Sequence, residues 1–69
     1  MKLSARNTIK GGIKDVTLGP VSAEVTLRVA PGIDIVAVIS TASAKALKLK
    51  KGKKAYAVIK ASSVMVAID

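Results

Sequence analysis

The chain has 69 residues and a mass of 7.1 kDa; 51% of its residues are apolar, and it contains no cysteine and no histidine. A domain of this size buries only about 60% of its unfolded surface, and without Cys or His it has neither a disulfide nor a zinc site to stabilise it. The large apolar share therefore predicts burial between subunits, in a homo-oligomer. Four acidic residues at unrelated spacings, with no His or Cys beside them, argue against an enzyme.

Twelve Lys and Arg residues against four acidic ones give a net charge of +8. Such a balance predicts an anionic partner, which is a nucleic acid, an acidic membrane surface or a small inorganic anion. The apolar runs are too short to span a bilayer, and the sequence after Met1 lacks the apolar stretch of a signal peptide. We therefore expect a cytoplasmic protein with no membrane partner.

Alternation of apolar and polar residues with a period of two predicts strands over most of the chain. The predicted strands cover residues 3–9, 13–18, 21–29, 33–39, 55–60 and 64–68. Gly11 and Gly12 join the first two, and turns containing Gly and Pro at residues 18–20 and 30–32 bound the third. The nearly continuous apolar run over 33–39 predicts burial on both faces of that strand.

A single helix is predicted over residues 41–49, where alanines recur. Ser40 or Thr41 would cap its N-terminus, and Gly52 would close it. About six short strands with one short helix predict a mainly β fold, a small OB-like β-barrel.

The densest charge cluster, which we call the lysine cluster, lies around Gly52 and consists of Lys48, Lys50, Lys51, Lys53 and Lys54. It is interpreted either as a phosphate-binding surface of a nucleic-acid-binding module or as lysines that complement the helix C-terminus and maintain solubility. OB-type barrels that bind single strands stack the bases on aromatic side chains. Tyr56 is the only aromatic residue of the chain, which argues against a nucleic acid as the partner and favours the second interpretation.

Two other polar segments place a cation beside hydroxyl donors, with no carboxylate among them. They are Ser4-Ala5-Arg6-Asn7 and Lys60-Ala61-Ser62-Ser63. Ser4 and Arg6 would share one face of a strand, as would Lys60 and Ser62 if the strand continues through them. Such donors suit a tetrahedral dianion stripped of water. Spacing alone nevertheless favours the simpler interpretation of solvated cations at strand ends.

The opening segment 4–7 with Lys10-Gly11, and the closing segment 56–65, resemble the paired end motifs of the molbindins, the small molybdate-binding proteins. The resemblance covers residues 1–69 and implies a single molbindin-like (Mop/TOBE-type) oxyanion-binding domain. It further implies an OB-like barrel that assembles as a hexamer, a trimer of dimers, and holds molybdate or tungstate between subunits. The metal would be bound as an oxyanion rather than coordinated as a cation, with no organic cofactor, for intracellular molybdenum storage and homeostasis.

The resemblance also implies the site residues. One strand would contribute Ser4, the Ala5 backbone and Arg6, and another would contribute Lys60, the Ala61 backbone and Ser62. The partner subunit would add the Ser40 hydroxyl, with Ser43 and the positive end of the helix beside it. The family motif does not explain the lysine cluster, so a basic OB-like nucleic-acid-binding module that uses Lys48–Lys54 stays as the alternative function.

Overall fold

The structure, a computed structural model, describes residues 6–69. Its elements are β1 (Asn7–Leu18), β2 (Ser22–Ala30), β3 (Ile33–Ser40), α1 (Thr41–Ala46) and β4 (Lys54–Ile59), followed by a 3₁₀ turn at Ala61–Ser63. The strands form one antiparallel sheet in the order β3-β2-β1-β4, curled into a half-barrel. The prediction of a mainly β, OB-like fold with one short helix is confirmed, but residues 6–69 contain four strands, so the expected count of about six is wrong.

β1 is one long strand where two were predicted. Gly11 and Gly12 lie inside it, paired with Ala55 and Lys54 of β4. A Cβ atom at Gly11 would lie 2.8 Å from the backbone oxygen of Arg28, so this glycine permits a close approach of β2 rather than a break between strands. The strand bends instead at a bulge between Ile13 and Asp15.

The concave face of the sheet holds the core, and the convex face of β3 is uncovered. Ile13, Val25 and Leu27 form the centre of the core together with Ala57. The side chains of β3 that point inward are half-buried, whereas Val36 and Val38 on its other face are 58% and 69% exposed. The predicted burial of β3 on both faces is therefore wrong within a single chain. The hairpins at residues 18–20 and 30–32 are confirmed.

α1 is shorter than predicted. It ends at Ala46, because Lys48 adopts the left-handed conformation (φ 55°) and the Leu49 N–H donates to the Ala44 oxygen at 3.0 Å. The predicted closure by Gly52 is thus wrong. Gly52 (φ 91°) instead forms the turn before β4, and its N–H donates to the Ile13 oxygen at 2.8 Å. At the other end, the predicted cap is confirmed, since the Ser40 hydroxyl accepts the Ser43 N–H.

The last residues leave the sheet. After β4, the Ser63 N–H donates to the Lys60 oxygen at 2.8 Å and closes the 3₁₀ turn. Residues 64–68 then run on without pairing to any strand of residues 6–69, and Met65, Val66 and Ile68 are at least 90% exposed. The prediction of a strand there is wrong for this chain by itself, because no neighbouring strand lies alongside to accept its backbone hydrogen bonds.

Candidate anion site

Arg6 and Lys60 flank the open end of the β1–β4 ladder. The last pair of this ladder is Asn7 with Ile59, and the Asn7 side-chain amide also donates to the Ile59 oxygen at 3.3 Å. Arg6 immediately precedes Asn7, and Lys60 immediately follows Ile59. The antiparallel register therefore brings these two cations, 54 positions apart in sequence, to neighbouring places at one end of the sheet.

Neither of these cations has a carboxylate partner in residues 6–69. The ion pairs of that range join Lys14 and Arg28 to Asp34, and Arg6 and Lys60 are both exposed. Two cations side by side repel one another and attract a counter-ion. This end of the sheet is thus able to accept an external anion.

The 3₁₀ turn adds backbone donors beside Lys60. In a turn closed by the Ser63 N–H, the N–H groups of Ala61 and Ser62 have no acceptor within the turn. The expectation that Lys60 and Ser62 share one face of a continuing strand is wrong, because the chain turns at Ala61. The two residues nevertheless remain together, now on a turn that presents N–H groups as well as a hydroxyl and an ammonium.

Ser40 and Ser43 lie at the opposite end of the sheet. Ser40 pairs with Ser22 of β2, close to where β1 ends at Leu18, whereas Arg6 precedes the start of β1. The Ser40 hydroxyl donates to the Ser43 hydroxyl at 2.7 Å and accepts the Ser43 N–H at 3.0 Å. The two serines therefore form one exposed group, but a single chain does not bring it to Arg6 and Lys60. Ser4 and Ala5, also predicted as site residues, lie outside the described residues.

The lysine cluster is an exposed surface with one structural member. Lys53 donates through Nζ to the Leu47 oxygen at 2.7 Å and to the Lys48 oxygen at 3.3 Å. It thereby satisfies backbone carbonyls at the end of α1. The interpretation of the cluster as a complement to the helix C-terminus is confirmed for Lys53, and the remaining lysines are exposed to solvent.

A second group of cations lies on the convex face of the sheet and includes its own counter-ion. Asp34 accepts hydrogen bonds from Arg28, its cross-strand partner, and from Lys14 of β1 at 3.1 Å. These hydrogen bonds hold the pKa of the Asp34 carboxyl down at about 2 and raise the pKa of Arg28. The positive charge of this group is therefore partly neutralised from within the chain.

Two anchoring side chains were not expected from the sequence. Asn7 ties β1 to β4 beside the Arg6–Lys60 pair, and Thr41 donates through its hydroxyl to the Gly19 oxygen at 2.7 Å, which holds α1 against the β1–β2 turn. The role of Asn7 could have been suspected from its position directly after Arg6 in the sequence. The burial of Thr41 depends on how the turn packs, which local sequence does not specify.

Comparison with known proteins identifies the family. The model of the TOBE domain matches residues 3–66. The chain belongs to the TOBE domain family. This TOBE domain is 41% identical over 66 residues to molybdenum-pterin-binding protein 1 of Clostridium pasteurianum, covering 96% of the chain and 97% of that protein. The molbindin resemblance is thereby confirmed.

Solved structures agree with this assignment. A molybdate-binding protein from Sporomusa ovata superposes with a TM-score of 0.92 at 32% identity, over 99% of this chain and 100% of that one. The cytoplasmic molybdate-binding protein ModG, with molybdate bound, superposes with a TM-score of 0.88 at 43% identity, over 94% of this chain. This TOBE domain spans 46% of the ModG chain. In residues 6–69, no helix is long and apolar enough to cross a membrane.

Proposed function

We propose that this TOBE domain binds molybdate, with tungstate as an equivalent ligand, at the seams between copies of the chain. The observation that supports this most directly is the Arg6–Lys60 pair, which is exposed and lacks a carboxylate partner in residues 6–69. Arg6 would donate charge-assisted hydrogen bonds and Lys60 would supply a compact positive charge. The Ala61 N–H, the Ser62 hydroxyl and the predicted donors Ser4 and Ala5 would satisfy the remaining oxygens.

A second copy is needed because one chain leaves every described site residue exposed to water. A dianion is bound tightly only where donors surround it and water is excluded. Ser40 and Ser43 are the hydroxyls predicted to complete the site, and within one chain they lie at the far end of the sheet. The chain alone exposes 5526 Å², against about 4,100 Å² expected for a folded monomer of this mass. The surplus supports association, for which we propose a hexamer built as a trimer of dimers.

The donor set predicts selectivity against phosphate. At neutral pH phosphate is largely protonated, and a site made of ammonium, guanidinium, hydroxyl and N–H groups offers that proton only hydroxyl acceptors. Molybdate, tungstate and sulfate are unprotonated dianions, so cavity size is left to separate them. Sulfate is therefore the competitor to include in any binding experiment.

The proposed role is storage and homeostasis of molybdenum in the cytoplasm, by binding and release rather than by catalysis. No organic cofactor is required, since the donors come from the chain itself. We also propose that residues 1–69 form a single oxyanion-binding domain. The names of the relatives support molybdenum as the element, and the ModG structure contains molybdate.

Arg6→Ala tests the site directly. A hydrogen bond to a charged group contributes about 1.5–3 kcal/mol, so molybdate affinity measured by titration calorimetry should fall about ten- to a hundredfold. Lys51→Ala is the matched control, because it removes one exposed positive charge from the lysine cluster and should leave the affinity within about twofold. Equal losses in the two variants, or no loss in Arg6→Ala, would remove Arg6 from the site.

Equilibrium dialysis against molybdate in excess sulfate, followed by molybdenum analysis, tests the proposed ligand. Retained molybdenum is the expected result, and retention of none contradicts the proposal. A labelled oligonucleotide at two salt concentrations tests the alternative based on the lysine cluster. Nucleic-acid binding would weaken steeply with salt, whereas an enclosed oxyanion site responds much less.

A further inference from the structure

A row of side chains crosses the convex face of the sheet, and one member of this row is a glycine. Gly12 of β1 pairs with Arg28 of β2 on one side and with Lys54 of β4 on the other. Arg28 pairs in turn with Asp34 of β3. Residues directly opposite one another on antiparallel strands share a face. Because Gly12 has no side chain, the Lys54 ammonium lies over β1, 4.0 Å from the place that a Cβ atom of residue 12 would take.

Four exposed lysines lie around the β4 end of this row, and we call them the basic strip. They are Lys10, Lys50, Lys51 and Lys54. Lys10 lies two residues before Gly12 on β1 and therefore on the same face as Lys54. Lys50 and Lys51 lie in the turn that leads into β4, which the Lys53 N–H closes by donating to the Lys50 oxygen at 3.1 Å. No ion pair within residues 6–69 includes any of the four.

The other end of the row shows which anion this face accepts. The Asp34 carboxylate accepts hydrogen bonds from Arg28 and, at 3.1 Å, from Lys14. Cations of two adjacent strands thus hold one carboxylate there. Lys10 and Lys54 also lie on two adjacent strands, but no acid in the described part of the chain pairs with them. The basic strip is therefore complementary in charge to carboxylates from outside the chain.

The basic strip is separate from the candidate anion site. Lys54 begins β4 and Lys60 follows its end, which places the two residues about 20 Å apart along an extended strand. A tetrahedral oxyanion cannot bridge that distance. A partner that engages the whole strip must therefore present several negative charges of its own.

The side chains of the basic strip favour carboxylates over nucleic-acid phosphates. Nucleic acids are commonly held by the planar forks of arginine, and single strands also by aromatic stacking. The strip contains no arginine, and the aromatic side chain beside it is Tyr56, which pairs with Lys10 and is 50% exposed. Each lysine instead offers a compact charge on a flexible stem, which suits the separate carboxylates of an acidic peptide.

From these features we infer that the basic strip docks an acidic segment of a partner protein. Aspartate or glutamate side chains of that segment pair with Lys10 and Lys54 on either side of Gly12, and others reach Lys50 and Lys51. Ion pairs at an exposed surface are individually weak, so several hold the segment at once and it exchanges readily. The inference goes beyond molybdate binding and does not depend on it.

Fluorescence anisotropy with a labelled peptide of alternating glutamate and serine residues is the first test, at an ionic strength of about 0.15 M. Lys54→Glu should weaken binding about tenfold, because it removes an ion pair and repels the peptide. Lys45→Glu is the matched control, since it makes the same charge change at an exposed position of α1 and should stay within about twofold. Lys54→Arg should retain binding. Equal losses in the two Glu variants, or no binding of the peptide to the unchanged protein, would overturn the inference.

Carbodiimide crosslinking is the second test and requires no substitution. The reagent joins a carboxylate to the amine that it contacts, and mass spectrometry of the digested product identifies the lysine. We expect the peptide to crosslink to the lysines of the basic strip and not above background to Lys45. Crosslinks spread evenly over all lysines, or concentrated at Lys60, would show that the strip is not the docking surface.

An oligothymidylate with the same number of charges as the peptide tests the other class of partner. If it binds more tightly than the peptide and displaces it from the strip, the inference is wrong and the strip is a nucleic-acid surface. Molybdate is absent from all of these experiments, so their failure leaves the proposed function standing. If the peptide crosslinks to the strip but dialysis retains no molybdenum, the docking inference stands and the proposed ligand falls.

Discussion

Two regions of the sheet each bring cations together on neighbouring strands, and they differ by one carboxylate. On the convex face, Lys14 and Arg28 converge on Asp34, which accepts hydrogen bonds from both. At the open end of the β1–β4 ladder, Arg6 and Lys60 have no such acid within residues 6–69. The charge of the first group is partly neutralised from within the chain, whereas the charge of the second is left for solvent ions or a bound anion to balance. Positive charge alone therefore does not distinguish the two regions; the presence or absence of an internal carboxylate does.

The difference between the two regions can be removed by placing a carboxylate beside Arg6. Lys60→Asp would convert the Arg6–Lys60 pair into one in which Arg6 faces a carboxylate. Molybdate affinity by calorimetry should fall at least about a hundredfold, because a donor is lost and a negative charge repels the ligand. Lys51→Asp makes the same charge change in the lysine cluster and should cost far less. Comparable losses in both variants would mean that net charge, rather than position, governs binding.

A second prediction concerns β1, the strand that connects the two regions. Gly11→Ala would place a Cβ atom 2.8 Å from the Arg28 oxygen, so β2 must shift. We expect a loss of about 1–3 kcal/mol in the free energy of unfolding by urea denaturation. Gly12→Ala is the control, because a Cβ atom there meets only the flexible end of Lys54, at 4.0 Å. Equal stability of the two variants would show that the strand is not as closely packed as described.

The smallest expected effect concerns the acid stability contributed by the convex-face group of Lys14, Arg28 and Asp34. The folded-state pKa of Asp34, about 2, lies below its ordinary value. Its contribution to stability is therefore fully present above about pH 4 and is lost as the pH falls towards 2. Asp34→Asn should flatten the acid dependence of the unfolding midpoint in that window and leave molybdate affinity at neutral pH unchanged. Glu24→Gln, which removes a carboxylate that forms no ion pair in residues 6–69, should retain the wild-type acid dependence.

The parts of the fold that local patterns determine were predictable. The alternation in β2 and the Gly-Pro turns on either side of it specify both the strand and its hairpins. The continuity of β1 through Gly11 was not predictable, because it depends on the approach of Arg28 from β2. The end of α1 was missed for a similar reason, since Lys48 takes the left-handed conformation that glycine usually fills.

The candidate site, like the fold, was predictable only in part. Arg6 and Lys60 could be selected from the sequence because their segments resemble a family motif, and the β1–β4 register supports the choice. That Ser40 lies at the far end of the sheet follows from strand order, which the sequence alone does not specify. Residues 64–68 were predicted as a strand, but they are uniformly apolar and no strand of residues 6–69 pairs with them.

The thin core has a consequence for how the protein accumulates in a cell. The buried apolar side chains of residues 6–69 are few, and the centre of the core consists of Ile13, Val25, Leu27 and Ala57. When burial is completed by association, the folded fraction follows mass action and rises with the number of chains present. Under the proposed assembly, newly made copies at low abundance would remain open to proteolysis, and a modest rise in synthesis would yield a disproportionate rise in the number of assembled oligomers. Expression level would in this way set a threshold for capacity.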